Sequence, residues 1–258
     1  KIINYILVSE AKKMCRKANG VSYVTQNILQ NVYPCSALIR NDSKFFTSSY
    51  SSIDLPKEYF YKQNWRLERN PQIFKIIHTG YMDSYRKGQD ILIKVVKRLV
   101  DDGYKNIQVS FVGDGNKKSE FEELAKNLNV EQYIHFRGMI KEKNKLINVL
   151  KESHLFVFPT FSEGLPRSII EAMAVGLPCV SNGVDGIPEL LEENFLVKNN
   201  DIDSYVNIIE KLLDNWDKMI DVSNRNYYES LKYEKSILDS SRNEFYYKLK
   251  LGVKNNEN

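Results

Sequence analysis

From about residue 75 onward, short β-rich apolar runs alternate with amphipathic stretches. Ile76-Ile77-His78-Thr79-Gly80 reads as a strand. Residues 88–101 then place Ile91, Leu92, Val95, Val96, Leu99 and Val100 on one helical face. Ile107–Val112 is a second strand, closed by Gly113-Asp114-Gly115, and a charged helix is expected at 117–128. Tyr133-Ile134-His135-Phe136 is a third strand, closed by Gly138. A helix at 142–152 leads to Leu155-Phe156-Val157-Phe158-Pro159. After the turn Ser162-Glu163-Gly164-Leu165-Pro166 comes a helix at 167–175, with Gly176 as its stop and Pro178 just beyond. Cys179–Ser181 and Phe195–Val197 are short further strands, and 202–250 reads as helices with aromatic stripes. Such alternation implies a doubly wound α/β fold, a parallel sheet with helices on both faces. Ligands of such sheets bind beyond the carboxyl ends of the strands.

The first 70 residues read differently. Ala11–Ala18 suggests a basic helix, Val21–Thr25 a strand and Gln26–Gln30 the start of another helix. Residues 40–70 are polar and aromatic with little periodicity. The chain opens at Lys1-Ile2-Ile3 without an initiator Met, which reads as a fragment.

Charge narrows the class of partner. Lys and Arg number 37 against 33 Asp and Glu, a net +4, with the lysines interleaved among acids rather than massed on one face. No nucleic-acid footprint is expected from that distribution. Cys15, Cys35 and Cys179 are too far apart for a metal motif and odd in number, which points to reduced thiols and a cytoplasmic protein. No apolar run approaches the ~20 residues of a membrane span. His78, His135 and His154 lack zinc-ligand spacing and are expected to be packed or hydrogen-bonded. Asp201-Ile202-Asp203, the sole Asp-x-Asp, is expected to cap the following helix.

The richest stretch is 159–189. Glu163 falls on the loop after a buried strand and Glu171 about one turn into the next helix, with a helix start between them. Free amides at a helix start favour an anion such as phosphate. Carboxylates accept hydrogen bonds from vicinal hydroxyls, so two acids bracketing a phosphate cradle suit a sugar nucleotide. The plain alternative makes Glu163 a capping acid and Glu171 a solvated residue complementing the helix dipole.

The run Glu163-Gly164-Leu165-Pro166, Glu171-Ala172-Met173-Ala174, Gly176-Leu177-Pro178 and Gly186-Ile187-Pro188-Glu189 resembles the signature of family-4 retaining glycosyltransferases of the GT-B fold. Lys87-Gly88-Gln89-Asp90 resembles that family's phosphate-lysine motif, and Val112–Gly115, Phe136-Arg137-Gly138 and Phe156–Thr160 follow in the family's order. The resemblance covers about 75–215. It implies a C-terminal, Rossmann-like half of a GT-B fold at 75–232, preceded by a remnant of the N-terminal acceptor domain plus linker at 1–74. A C-terminal helix and tail at 233–258 would cross back toward that first domain.

The resemblance further implies that Glu163 stands near the transferred sugar and Glu171 at the ribose hydroxyls. The amides around Pro166, Arg167 and Ser168 would hold the β-phosphate, with Gly164 and Leu165 as further donor-binding residues. Lys87 would stabilise the departing diphosphate, Gly80 at the end of the first strand would bind the donor, and Gly138 and Met139 would flank the base. The family commonly has an arginine directly after the strand glycine, where this chain has Tyr81. Arg86 or Arg167 is the candidate replacement. Retaining transfer to a saccharide or lipid-linked acceptor in surface-polysaccharide synthesis is the expected activity, with no cofactor and no metal. A GT-B epimerase or an inactive nucleotide-binding fragment is the alternative. The basic run Lys12–Lys17 is a candidate contact with the inner face of a bacterial membrane, although a solvated helix face is the simpler reading.

Overall fold

Residues 2–40, 42–65, 69 and 71–254 are described by the computed structural model. Residues 1, 41, 66–68, 70 and 255–258, which fall in the expected N-terminal remnant, connector and C-terminal tail, lie outside the described residues. The elements begin with α1 (Ile2–Lys17), β1 (Gly20–Tyr23), α2 (Ile28–Val32), α3 (Ser36–Ile39) and β2 (Phe46–Ser49). Next come β3 (Phe74–Thr79), α4 (Gln89–Asp101), β4 (Ile107–Val112), α5 (Lys118–Asn127), β5 (Ile134–Phe136), α6 (Lys143–Lys151) and β6 (Leu155–Phe158). The chain continues with α7 (Arg167–Ala174), β7 (Cys179–Asn182), β8 (Leu196–Val197), α8 (Ile202–Asp214), α9 (Trp216–Ser230) and α10 (Lys235–Lys254).

The chain divides into two compact units: Lys57–Leu231, and Lys1–Pro56 together with Lys232–Asn258. In the larger unit six strands pair in parallel in the order β5-β4-β3-β6-β7-β8. The strands read as apolar runs because helices cover both faces: all four residues of β6 are buried, and in β3 only Lys75 is not. Leu92, Ile93, Val95, Val96 and Leu99 of α4 are fully buried, each worth about 1.5–3 kcal/mol over exposure. Ile91 and Val100, assigned to that face from periodicity, are only half-buried, and Ile93 joins it, because α4 also packs against α5 and α8. Gly176, with φ +71°, ends α7 as expected, donating its amide to Met173 O at 2.8 Å.

The larger unit starts at Lys57, ahead of the 75 expected from periodicity, because the described residues from 57 to 65 pack onto it without forming strand or α-helix. The Tyr61 amide donates to Ala174 O (2.9 Å), Gln63 Nε2 to Lys151 O (2.8 Å), and Trp216 Nε1 to Trp65 O (2.8 Å). In the smaller unit β1 and β2 pair in parallel, with Gly20 opposite Phe46. There α10 packs against them through Phe245, whose ring lies 5.3 Å from that of Phe46. Strand β2 and helix α3 are only four residues each, too short for a period to show in the sequence.

His78 and His154 are buried in the larger unit. His78 Nε2 donates to Lys87 O at 2.9 Å, and its buried Nδ1 has no hydrogen-bond partner among the described residues. His154 Nδ1 accepts the Lys75 amide at 2.8 Å. Burial above all pushes both rings down to about 4. An unfolded histidine titrates near 6.5. As pH falls through that value the unfolded chain takes up protons that the folded chain refuses. Stability is therefore full above about pH 6.5 and falls toward pH 4, by up to about 1.4 kcal/mol per pH unit for each ring. Urea unfolding between about pH 7 and pH 5 checks this. A His78→Gln, His154→Gln double variant should show a shallower slope, and an unchanged slope would refute the assignment.

Candidate active site

The strand order reverses direction between β3 and β6, so their carboxyl ends open the crevice where such sheets bind ligands. Lys87 follows β3 and Glu163 follows β6, and the two side chains meet there. Lys87 Nζ donates to Glu163 Oε1, with side chains only 17% and 14% exposed. The ammonium also sits 5.3 Å from the centre of the Phe158 ring. Thr160 Oγ1 lies 3.2 Å from Glu163 Oε1 and 3.1 Å from Arg86 O, and the Phe161 amide donates to Arg86 O at 2.8 Å. The loops after the two strands are thus tied by backbone as well as by charge.

Local geometry explains the glycine after Lys87. A 3-10 turn at Tyr85–Lys87 is capped by Ser84 and ends at Gly88, which has φ +73°. A Cβ there would lie 1.9 Å from Pro159 O. Gly88 therefore permits both the left-handed turn and the approach of the Pro159 backbone that brings Lys87 to Glu163. A similar approach joins the other strand ends. The Gly80 amide donates to Val112 O and the Gly113 amide to Gly138 O, each at 2.9 Å. A Cβ on Gly113 would fall 2.0 Å from Gly80 O. Gly80 and Gly138 thus close one shelf with Gly113, and Met139 beside it is exposed. Tyr81 is exposed where the resembled family carries its arginine.

Leu165 and Pro166 are buried; Arg167 is exposed and Ser168 half-buried. Pro166 occupies the cap position of α7, and no side chain caps that helix. Proline has no N–H, so the amides offered at the helix start are those of Arg167, Ser168 and Ile169; the Ile170 amide reaches Pro166 O at 3.4 Å. Glu163 is therefore not a cap for α7. Nor is Glu171 a solvated residue: its side chain is 13% exposed and accepts from Lys143 Nζ at the start of α6.

Three participants escaped the sequence reading. Lys143 sits in the run Lys141-Glu142-Lys143-Asn144-Lys145, where nothing local separates it from its solvated neighbours. Thr160 fell within the run that follows the family's order, but nothing in that run marked it as a partner of Glu163. Asp185 Oδ2 accepts from the Glu163 amide (2.6 Å) and Ser162 Oγ (3.1 Å), a pairing across 22 residues. Asp201 does cap α8, accepting from the Ser204 amide at 2.9 Å. His135 is exposed. No group of three or more His, Cys, Asp or Glu side chains is placed to hold a metal ion among the described residues.

Substitution of Gly88 tests this geometry. Gly88→Ala should cost at least about 2 kcal/mol in urea unfolding, from the left-handed φ and the Pro159 clash together. An unchanged midpoint would contradict the close approach.

Residues 62–229 match the family described as Glycosyl transferases group 1. Protein CapJ of Staphylococcus aureus is 31% identical over 213 residues, spanning 82% of this chain and 50% of CapJ. The UDP-Gal:alpha-D-GlcNAc-diphosphoundecaprenol alpha-1,3-galactosyltransferase of Escherichia coli is 32% identical over 119 residues, spanning 45% of this chain and 30% of that protein. The pneumococcal O-GlcNAc transferase GtfA, solved in complex with UDP and GlcNAc, superposes with a TM-score of 0.74 at 16% identity, covering 96% of this chain and 48% of that one. The chain spans about half the length of the first curated relatives it matches. The six-stranded parallel sheet with its switch point between β3 and β6, and a family match spanning nearly the whole larger unit, have one common meaning: the chain belongs to the group 1 glycosyltransferases and carries the Rossmann-like domain of their GT-B fold.

Proposed function

We propose that this chain supplies the donor side of a retaining glycosyltransferase, which moves a sugar from a nucleoside diphosphate to a saccharide or lipid-linked acceptor. The observation that carries the reading is the meeting of Lys87 and Glu163 at the switch point, beside a helix start without a side-chain cap. Breaking the bond between sugar and diphosphate puts negative charge on the leaving oxygen and oxocarbenium character on the sugar. The Lys87 ammonium and the amides of Arg167 and Ser168 answer the first charge, each well-aimed donor being worth about 3–4 kcal/mol of barrier. The Glu163 carboxylate answers the second and accepts from sugar hydroxyls. Glu171 accepts from the ribose, and Gly80, Gly138 and Met139 line the nucleotide's path. Neither the diphosphate chemistry nor this set of donors calls for a metal.

The name of the E. coli relative includes a diphosphoundecaprenol acceptor. An acceptor of that kind would bring a cytoplasmic enzyme to the inner face of the membrane, and would fit a role in surface-polysaccharide assembly. No described helix is long and apolar enough to cross a membrane.

UDP, present at 100 times its dissociation constant, should add about 2.7 kcal/mol to the unfolding free energy. GDP and ADP serve as the parallel ligands, and no stabilisation by any of the three at millimolar concentration would count against a donor site. Lys87→Ala should weaken nucleotide binding by about tenfold or more, the scale of one charge-assisted hydrogen bond. In the full natural protein, Glu163→Gln should cut sugar transfer by about a hundredfold or more while nucleotide binding and circular dichroism hold. Wild-type turnover in that variant would refute the role of Glu163.

A further inference from the structure

Asp185 lies on the loop that follows β7, in the run Gly183-Val184-Asp185-Gly186. Its φ is +49°. That left-handed conformation costs a residue with a side chain free energy and costs glycine almost none. Glycine would be the default there, so the side chain's contacts are informative. One carboxylate oxygen, Oδ2, takes two donors from the loop after β6: the Glu163 amide at 2.6 Å and Ser162 Oγ at 3.1 Å. The next residue repeats the tie through backbone, the Gly186 amide donating to Gly164 O at 2.9 Å. Three consecutive residues, Ser162, Glu163 and Gly164, are therefore held by two consecutive residues of the neighbouring loop. Within this span Glu163 also pairs with Lys87, so its main chain and its side chain are each held by a different partner.

We propose that Asp185 is a positioning residue: it clamps the 162–164 loop and thereby sets the aim of the Glu163 carboxylate. The clamp rests on the reading of Glu163 as the acid facing the transferred sugar. A carboxylate that accepts two donors on one oxygen holds them more strongly than a neutral acceptor would, and both donors come from the loop that carries Glu163. A displacement of about 1 Å in a catalytic group is enough to lose about a hundredfold in rate.

The test compares Asp185→Gly, Asp185→Asn and Glu163→Gln in the full natural protein. Its readouts are sugar-donor turnover, UDP affinity, thermal melting and hydrogen exchange at the Glu163 amide. Asp185→Gly relieves the left-handed strain while losing two hydrogen bonds, opposing effects that should leave its melting temperature close to that of the wild type. Its kcat should nevertheless fall about 10–100-fold, with UDP affinity within about twofold and faster exchange at the Glu163 amide. Asn tolerates positive φ and keeps an accepting oxygen, so Asp185→Asn should retain kcat within about threefold. A stable Asp185→Gly with wild-type kcat overturns the clamp. So does tighter UDP binding with unchanged kcat, which would make the carboxylate a competitor for the nucleotide's place. If Glu163→Gln is slow while Asp185→Gly is normal, the clamp alone fails. If Glu163→Gln turns over at the wild-type rate, the reading of Glu163 fails and the clamp falls with it.

Discussion

The ion pair between Lys87 and Glu163 depends on β3 and β6 being neighbours, and the rest of the candidate site is arranged around it. Removing two charges from water is costly, and mutual attraction offsets the cost only when further bonds satisfy both groups. Those bonds are present: Thr160 Oγ1 lies within reach of Glu163 Oε1, and the Phe158 ring faces the ammonium. Phe158 ends β6 and Thr160 lies just past it, so the strand that delivers the acid also delivers its supports. The partly buried pair is thus a joint property of the sheet's order and of the loop that leaves each strand.

Close backbone approach is the second constraint. The Lys87 side chain reaches Glu163 because Gly88 lets the Pro159 carbonyl come in where any Cβ would stand. Gly113 does the same for the Gly80 carbonyl. Both glycines immediately follow a functional or strand-ending segment, and both have positive φ. The sheet supplies parallel strand ends at about 4.8 Å spacing. The glycines narrow the distance between what leaves those ends, which makes the crevice a defined surface rather than a set of splayed loops.

Much of this was legible in the residues. The buried strands and amphipathic helices of 75–215 have strong periods because both faces of the sheet are covered, and the run around Glu163 and Glu171 stood out by motif. What stayed hidden has a physical reason in each case. Residues 57–65 dock on the rest of the larger unit by main-chain bonds and the contact of Trp65 with Trp216, which have no period. Lys143 acquires its role only when the start of α6 comes beside α7, a contact across 28 residues. Asp185 depends on a backbone angle, and no composition or spacing reports one. Pro166 was grouped with the phosphate-holding amides, although proline has none to give; its part is to open α7 without a capping side chain.

The charges at the site bear on the arginine that Tyr81 displaces. Lys87 is matched by Glu163 and Lys143 by Glu171, so neither lysine brings uncompensated charge to a diphosphate. Arg86 and Arg167 have no ion pair among the described residues, and both are exposed. Arg86 is tied by its own carbonyl to Thr160 and Phe161, and Arg167 is the first residue of α7. Under the proposed function, the net attraction for the diphosphate would then fall to Arg86 or Arg167 and to the helix start, whose dipole places roughly half a positive charge there. Lys87 would then act less as a bulk attractor than as an aimed donor, released from Glu163 as the substrate's own oxygens and hydroxyls take over the two partners.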